Sequence, residues 1–229
     1  MDEIIVLDSG STDSTVEIAE RMGAKVYNEP FRGFVAQKNR AMDLCGSVWT
    51  FNIDADEEMT PALRESIGRR VVSSRDTSPC WFEVSRKTWY MGRWMRQCGW
   101  YPEHRARLCR KGKAKWTGEM LHERLEGEGR PGRLEGDLLH RPYADLGAHV
   151  KRIDRYSDLW AGGEFARGRT AHAGHLVTRP VARFLKMYVL KGGFLDGAAG
   201  FAASMMGAWY AFMKYARLYE RSRGSEWRS

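Results

Sequence analysis

Twice within its first sixty residues the chain passes from a short apolar run, through turn residues, into helical text and back again. "EIIVLD" (3–8) is a β-branched run that reads as a strand, and "SGSTDST" after it is turn chemistry, with Ser14 and Glu17 at capping-box spacing. The helix "STVEIAERM" stops at Gly23, "AKVYN" reads as a second strand, "GFVAQKNRAMDLC" as a second helix stopping at Gly46, and "SVWTFNID" as a third strand. Strands that alternate with helices predict an α/β fold, a mostly parallel sheet flanked by helices.

In such sheets ligands bind beyond the carboxyl ends of the strands, where the two acidic turns, Asp8 to Asp13 and Asp54 to Glu58, both fall. The second turn, in "FNIDADEEM" (51–59), crowds Asp54, Asp56, Glu57 and Glu58 into five positions. Carboxylates this close repel one another unless a cation, a helix dipole or water relieves them. Two readings stand side by side. Thr60-Pro61 looks like an N-cap with proline at the first helical position, which makes the acids a solvated strand end. Alternatively, Asp-x-Asp aims two hard oxygen ligands at one divalent cation.

A chain of 229 residues can bury a substantial core without staples. Cys45, Cys80, Cys98 and Cys109 form no Cys-x-x-Cys pair and no zinc-finger spacing, which points to reduced thiols in a cytosolic protein and away from a structural zinc. No apolar signal peptide opens "MDEIIVLD". The formal charge of +8 is unevenly spread: residues 1–149 hold 23 Lys/Arg against 23 Asp/Glu, residues 150–229 hold 14 against 6, and the first sixty hold 5 against 12. A basic C-terminal third implies a polyanionic surface, either anionic lipid or nucleic acid.

From Cys80 the text becomes aromatic and basic, as in "WFEVSRKTWYMGRWM", and reads as short strands and long loops covering the cleft. Its Trp and Tyr residues are either core or a platform for sugar rings. Helical text returns near residue 145. The uncharged run from Gly197 to Met213 covers 17 residues, the lower limit for a bilayer span, and is rich in Gly and Ala. Arg183, Lys186, Lys191, Lys214 and Arg217 bracket it with Phe184, Tyr188, Trp209 and Tyr210. That mixture suits a helix lying in the membrane interface, or a helical pair packed through small residues.

"IIVLDSGSTDST" followed by "NIDADE" resembles the nucleotide-diphospho-sugar domain of family 2 glycosyltransferases. "YPEHRARLCRKGKAKWTGEMLHERL", "HRPYADLGAHVKRIDRYSDLWA" and "FLKMYVLKGGFLDGAAGFAASMMGAWYAFMKYARL" are similar to the branch that adds sugars to the lipopolysaccharide core, so the resemblance runs from residue 2 to about 220. It implies a GT-A-like, Rossmann-like domain over residues 1–145 and a basic, membrane-associating helical extension over 146–229. It also implies a metal-dependent, inverting transfer of a hexose, most commonly glucose, from a UDP-sugar donor to a lipid-linked oligosaccharide acceptor. The enzyme would be peripheral on the inner face of the cytoplasmic membrane, with an anionic membrane surface and no nucleic acid as partner. Family members carry a strand and helix ahead of "DEIIVLD"; without them a chain would lack a central strand and part of the donor pocket, leaving sheet edges exposed.

The same resemblance implies the site. Asp56 would bind Mg²⁺ or Mn²⁺ on the diphosphate, Asp54 would contact the donor sugar or ribose, and Asp8 the nucleoside. Asp13 is a further donor-side candidate, or a cap of the next helix. Lys38 and Asn39 occupy the position of donor-pocket side chains, or a solvated helix face. Glu123 would be the general base, with Glu119 in reserve and His122 orienting it, binding acceptor or serving structure alone. Arg105 and Arg107 would contact diphosphate or an acceptor phosphate. A rival reading is a non-catalytic protein that binds membrane lipid through its basic, aromatic C-terminal third, or a transferase inactive for want of its donor pocket.

Overall fold

The computed structural model describes residues 2–73, 79–118 and 123–224. They form two compact units, Met1–Ser85 with His104–Leu138, and Arg86–Glu103 with Leu139–Ser229. The second unit therefore draws residues 86–103 to the C-terminal helices, a pairing that no composition shift in the sequence announces.

In the first unit β1 (Ile5–Asp8), α1 (Thr15–Arg21), β2 (Lys25–Asn28), α2 (Phe34–Leu44) and β3 (Trp49–Phe51) follow in the order read from the sequence. β1 and β2 pair in parallel, with Ile5 opposite Lys25 and Asp8 opposite Asn28. The capping box expected at Ser14 and Glu17 is replaced by another cap. The Asp13 carboxylate accepts from the Thr15 N–H at 3.1 Å, and Ser14 makes no side-chain cap.

The rest of the sheet departs from the parallel expectation. After β4 (Glu57–Met59) and α3 (Pro61–Ser73) come β5 (Trp81–Tyr90), β6 (Arg93–Trp94), β7 (Glu103–Arg110), β8 (Ala114–Thr117), β9 (Arg124–Gly127) and β10 (Gly132–His140), with no helix between them among the described residues. Strands joined this closely pair antiparallel, since a parallel return needs a long crossover. The pairs β3 with β7, β5 with β6 and β8 with β9 are all antiparallel. The larger sheet runs β3-β7-β5-β10-β4 with β6 on β5, while β1 and β2 form a sheet of their own. The fold is thus α/β with mixed strand directions and flanking helices.

The stretch after Cys80 holds the long strands β5, β7 and β10 as well as the short ones expected there. Period two is present there, with Phe82, Val84, Thr88 and Tyr90 buried, but Arg86 interrupts it at the position where an apolar residue would have revealed it. Leu63, Phe82, Val84, Leu108, Leu134 and Leu138 form the core of the first unit, packed by Trp49 and Phe51. α3 begins as the sequence predicts: Thr60 Oγ1 accepts from the Leu63 N–H at 3.3 Å and Pro61 is the first helical residue. Gly136 lets β10 meet that helix. It has φ +88°, and a Cβ there would lie 2.4 Å from Leu63 N.

The second unit contains α4 (Leu146–Ala166), α5 (Ala173–Leu185), a π-helical turn (Lys186–Leu190), a 3-10 turn (Gly193–Asp196) and α6 (Gly197–Arg223). Asp145 caps α4 by accepting from the Ala148 N–H at 2.7 Å. The Gly/Ala-rich run is explained by close packing. A Cβ on Gly200 would lie 1.8 Å from the Gly193 carbonyl oxygen, and Ala199, Ala203 and Ser204 are buried beside it. No described helix is long and apolar enough to cross a membrane.

Aromatic residues make much of this unit's interior. Tyr90 is buried, with Trp100 and Tyr143 packed around it. Tyr143 stacks on His149 with ring centroids 4.1 Å apart, and the Tyr90 hydroxyl lies 3.0 Å from His149 Nδ1. Burial pushes His149 down to about 4 and Tyr90 up to about 12. Asp196, 1% exposed, accepts from the N–H groups of Arg96 and Gln97 at 3.0 and 2.7 Å and pairs with Arg93 at 3.2 Å. All four cysteines are free thiols.

Candidate active site

The acidic turn after β3 resolves its own repulsion with a buried arginine. Arg107 on β7 lies 2.8 Å from Asp54 Oδ2 and 2.5 Å from Glu57 Oε1, and the Glu57 side chain is fully enclosed at 0% exposure. The β3–β7 register sets Phe51 opposite Leu108, and the Asn52 N–H donates to the Arg107 carbonyl at 2.8 Å. Two of the four acids are therefore internal counter-ions, whereas Asp56 and Glu58 are exposed to solvent. Burial works against the Asp54 charge, but Arg107 and Lys38 outweigh it and hold the carboxyl below the usual range. Burial likewise opposes the Arg107 charge, and the two carboxylates more than compensate.

Three successive residues of α2 tie this turn to the rest of the site. Gln37 Nε2 donates to Ser9 Oγ, in the loop after β1, at 2.6 Å. Lys38 Nζ sits 3.2 Å from Asp54 Oδ1 and 3.4 Å from Glu123 Oε1, and 4.4 Å above the Trp116 ring. Asn39 grips the Trp116 backbone with both amide atoms, at 2.9 and 2.8 Å. Lys38, Asp54, Glu123 and Arg107, all singled out from the sequence, are thus brought together. Asn39 holds β8 in place, so its amide is committed to structure.

The remaining candidates are distributed less tightly. Asp8, 5% exposed, accepts from the Ser11 hydroxyl at 2.5 Å and from the N–H groups of Gly10 and Ser11 at 2.8 and 3.0 Å. These bonds, the Ser11 hydroxyl foremost, pull its carboxyl below the ordinary range. Asp13 is bonded to Thr15 and starts α1. Arg105 is exposed two residues before Arg107. Glu119 and His122 lie outside the described residues.

Sequence reasoning did not single out Glu57, Asn52 or Trp116 as site residues. Glu57 stood among the four acids, but nothing local marks it as the enclosed one. Trp116 is buried and its indole N–H donates to Asn52 Oδ1 at 3.2 Å. Asn52 Nδ2 and Arg107 Nε are buried without a hydrogen-bond partner. Each such donor costs about 1–3 kcal/mol, and both fall beneath the Asp-x-Asp turn.

Among the described residues no three His, Cys, Asp or Glu side chains converge to hold a metal unaided. Exposed Asp56 carries the hard oxygen that Mg²⁺ or Mn²⁺ takes, ions that keep most positions for phosphate and water, whereas both Asp54 oxygens already face Lys38 and Arg107.

Residues 1–113 match the family model described as Glycosyl transferase family 2. Over 231 residues the chain is 32% identical to the "Lipopolysaccharide core biosynthesis glycosyltransferase LpsC" of Rhizobium meliloti (strain 1021), covering 96% of this chain and 83% of that protein. It is also 29% identical to an uncharacterized glycosyltransferase of Rickettsia typhi, covering 96% of this chain and 79% of the relative. The matched segment contains α2, the Asp-x-Asp turn and Arg107; this chain belongs to glycosyl transferase family 2.

Proposed function

We propose that this transferase moves a hexose, glucose by family preference, from a UDP-sugar to a hydroxyl of a lipid-linked glycan such as lipopolysaccharide core, inverting the anomeric carbon. It would work as a peripheral enzyme on the inner face of the cytoplasmic membrane. The observation that carries the reading is the Lys38 ammonium set between Asp54 and Glu123, which joins the donor-side acid and the proposed base through one cation. The relative named for lipopolysaccharide core biosynthesis, aligned over 96% of this chain, supports the acceptor class.

In the proposed step the acceptor oxygen bonds to the anomeric carbon as the bond from that carbon to the diphosphate breaks, and the acceptor proton passes to Glu123. Protonation of Glu123 releases its hold on Lys38, whose charge then faces the leaving phosphate. Asp54, kept ionised by Arg107 and Lys38, accepts from a hydroxyl of the donor. Asp8 already accepts three bonds, which leaves about one lone-pair direction of its carboxylate for the nucleoside. Asp56 would hold Mg²⁺ or Mn²⁺, and the ion, when bound, supplies positive charge to the diphosphate. Arg105 supplies a further anion contact, whereas Arg107 acts through Asp54.

Calorimetric titration with UDP, with and without Mn²⁺, tests the donor half of the proposal. Metal-dependent binding should vanish in Asp56→Asn. Glu123→Gln should keep nucleotide affinity and lose at least about 100-fold in transfer rate. Near-normal turnover from that variant would remove Glu123 from the mechanism.

A further inference from the structure

We infer that the outward face shared by α5 and α6 is a docking surface for an anionic lipid bilayer, lying flat in the interface. This deepens the membrane side of the proposed function while standing on geometry of its own. α5 exposes Val177, Val181 and Leu185 at successive turns, at 66, 53 and 49%. α6 exposes Phe201, Met205 and Trp209 in the same spacing, at 49, 48 and 45%. The two stripes meet through Phe184 and Tyr188, whose ring centroids lie 6.0 and 5.7 Å from that of Phe201.

A water-facing helix normally hides its large apolar residues and shows its small and polar ones. α6 does the opposite, burying Ala199, Gly200, Ala203 and Ser204 and presenting Phe201, Met205 and Trp209. An apolar face this continuous marks an interaction site. Charge identifies its occupant. Residues 165–219 carry eight Lys/Arg and a single acid, Asp196; Arg167 and Arg169 pair with Glu164 and Arg217 with Asp154 and Asp158, while Arg179, Arg183, Lys186 and Lys191 are exposed along and just after α5. That acid is 1% exposed and already bonded, so the segment offers no exposed carboxylate. A second copy of this chain would bring two cationic surfaces together, whereas anionic headgroups neutralise one. Since no described helix can cross the bilayer, the face rests on the headgroup boundary with its aromatic and aliphatic side chains dipped into it.

Vesicle flotation of the full chain tests the inference, using phosphatidylcholine alone and phosphatidylcholine mixed with phosphatidylglycerol. The wild type should float with the anionic vesicles and much less with the neutral ones. Val181→Asp with Leu185→Asp should weaken partitioning by at least about tenfold, since two exposed aliphatic side chains that would enter the bilayer are exchanged for charges that the anionic surface repels. A second measurement needs no destabilising variant: brominated lipid should quench the part of the wild-type tryptophan emission that Trp209→Phe removes. Flotation of the folded double variant at wild-type strength would overturn the inference, as would a wild type that floats with Trp209 unquenched. A wild type that stays in solution as a dimer, and becomes a monomer in the double variant, would reassign the face to a second copy. UDP titration of the same preparations reads the donor site separately, so flotation can fail while the transferase reading stands, and the reverse.

Discussion

Arg107 in the first unit and His149 with Asp196 in the second are buried by different means. In the first unit charge meets charge: Arg107 is 3% exposed between Asp54 and the enclosed Glu57 side chain, with Lys38 and Glu123 at the edge. The second keeps His149 neutral among rings and satisfies Asp196 largely with backbone N–H groups, while its other buried acid, Glu164, pairs with Arg167 and Arg169. The transfer proposed for the first unit would draw on ionised groups that restrain one another, as Lys38 holds Asp54 and Glu123.

The sharpest test of this contrast compares two arginines. Arg107→Leu removes the guanidinium held against Asp54 and the enclosed Glu57 side chain and should cost about 3–5 kcal/mol in denaturant unfolding. Arg93→Leu should cost less than about 2 kcal/mol, because Asp196 keeps two backbone donors. Equal losses would break the comparison.

Acid sensitivity should separate the units next. His149 has a folded pKa of about 4, so the unfolded chain takes up its proton first as pH falls below about 6.5. Stability should therefore drop between about pH 6.5 and 4, by up to about 3 kcal/mol, and His149→Phe should flatten that limb of a stability–pH curve. The Asp54 shift is also downward but has another cause, the charges of Arg107 and Lys38 outweighing burial. Its carboxyl is held below its ordinary value, so its contribution is complete above about pH 4 and disappears as pH falls through the depressed value. Acid unfolding of Asp54→Asn should accordingly lose a limb at lower pH than the one His149 governs.

The smallest effect belongs to the surface of the second unit. Arg217 pairs with Asp154 and Asp158, both half exposed or more, and Arg217→Ala should cost less than about 1 kcal/mol in thermal unfolding. A larger loss would mean that the second unit also depends on ion pairs.

The alternation of strand and helix through β3 was legible because each element is short, periodic and closed by Gly or turn residues. The strands after Cys80 were hidden by Arg86 and by an aromatic, basic surface that resembles loop text. At the site, Lys38, Asp54 and Glu123 were readable as chemistry, but their meeting was not: Lys38 and Glu123 are 85 positions apart. Asn39 shows the limit most clearly. Its polar side chain on a helix looks equally like a ligand contact or a solvated face, and only the position of β8, 77 residues away, turns it into a clamp on Trp116. Arg107 was recognisable as an anion partner, yet the anions it holds belong to its own chain.

The run of Gln37, Lys38 and Asn39 has a mechanical corollary. Consecutive residues on one stiff rod hold the loop after β1, the acidic turn with Glu123, and the Trp116 strand. Three segments that would otherwise drift independently share the translation and rotation of α2, as parts bolted to one crank. Adapting this enzyme to a donor of different length would therefore mean shifting the whole helix or cutting one of the three bolts, since no single loop is free to move by itself.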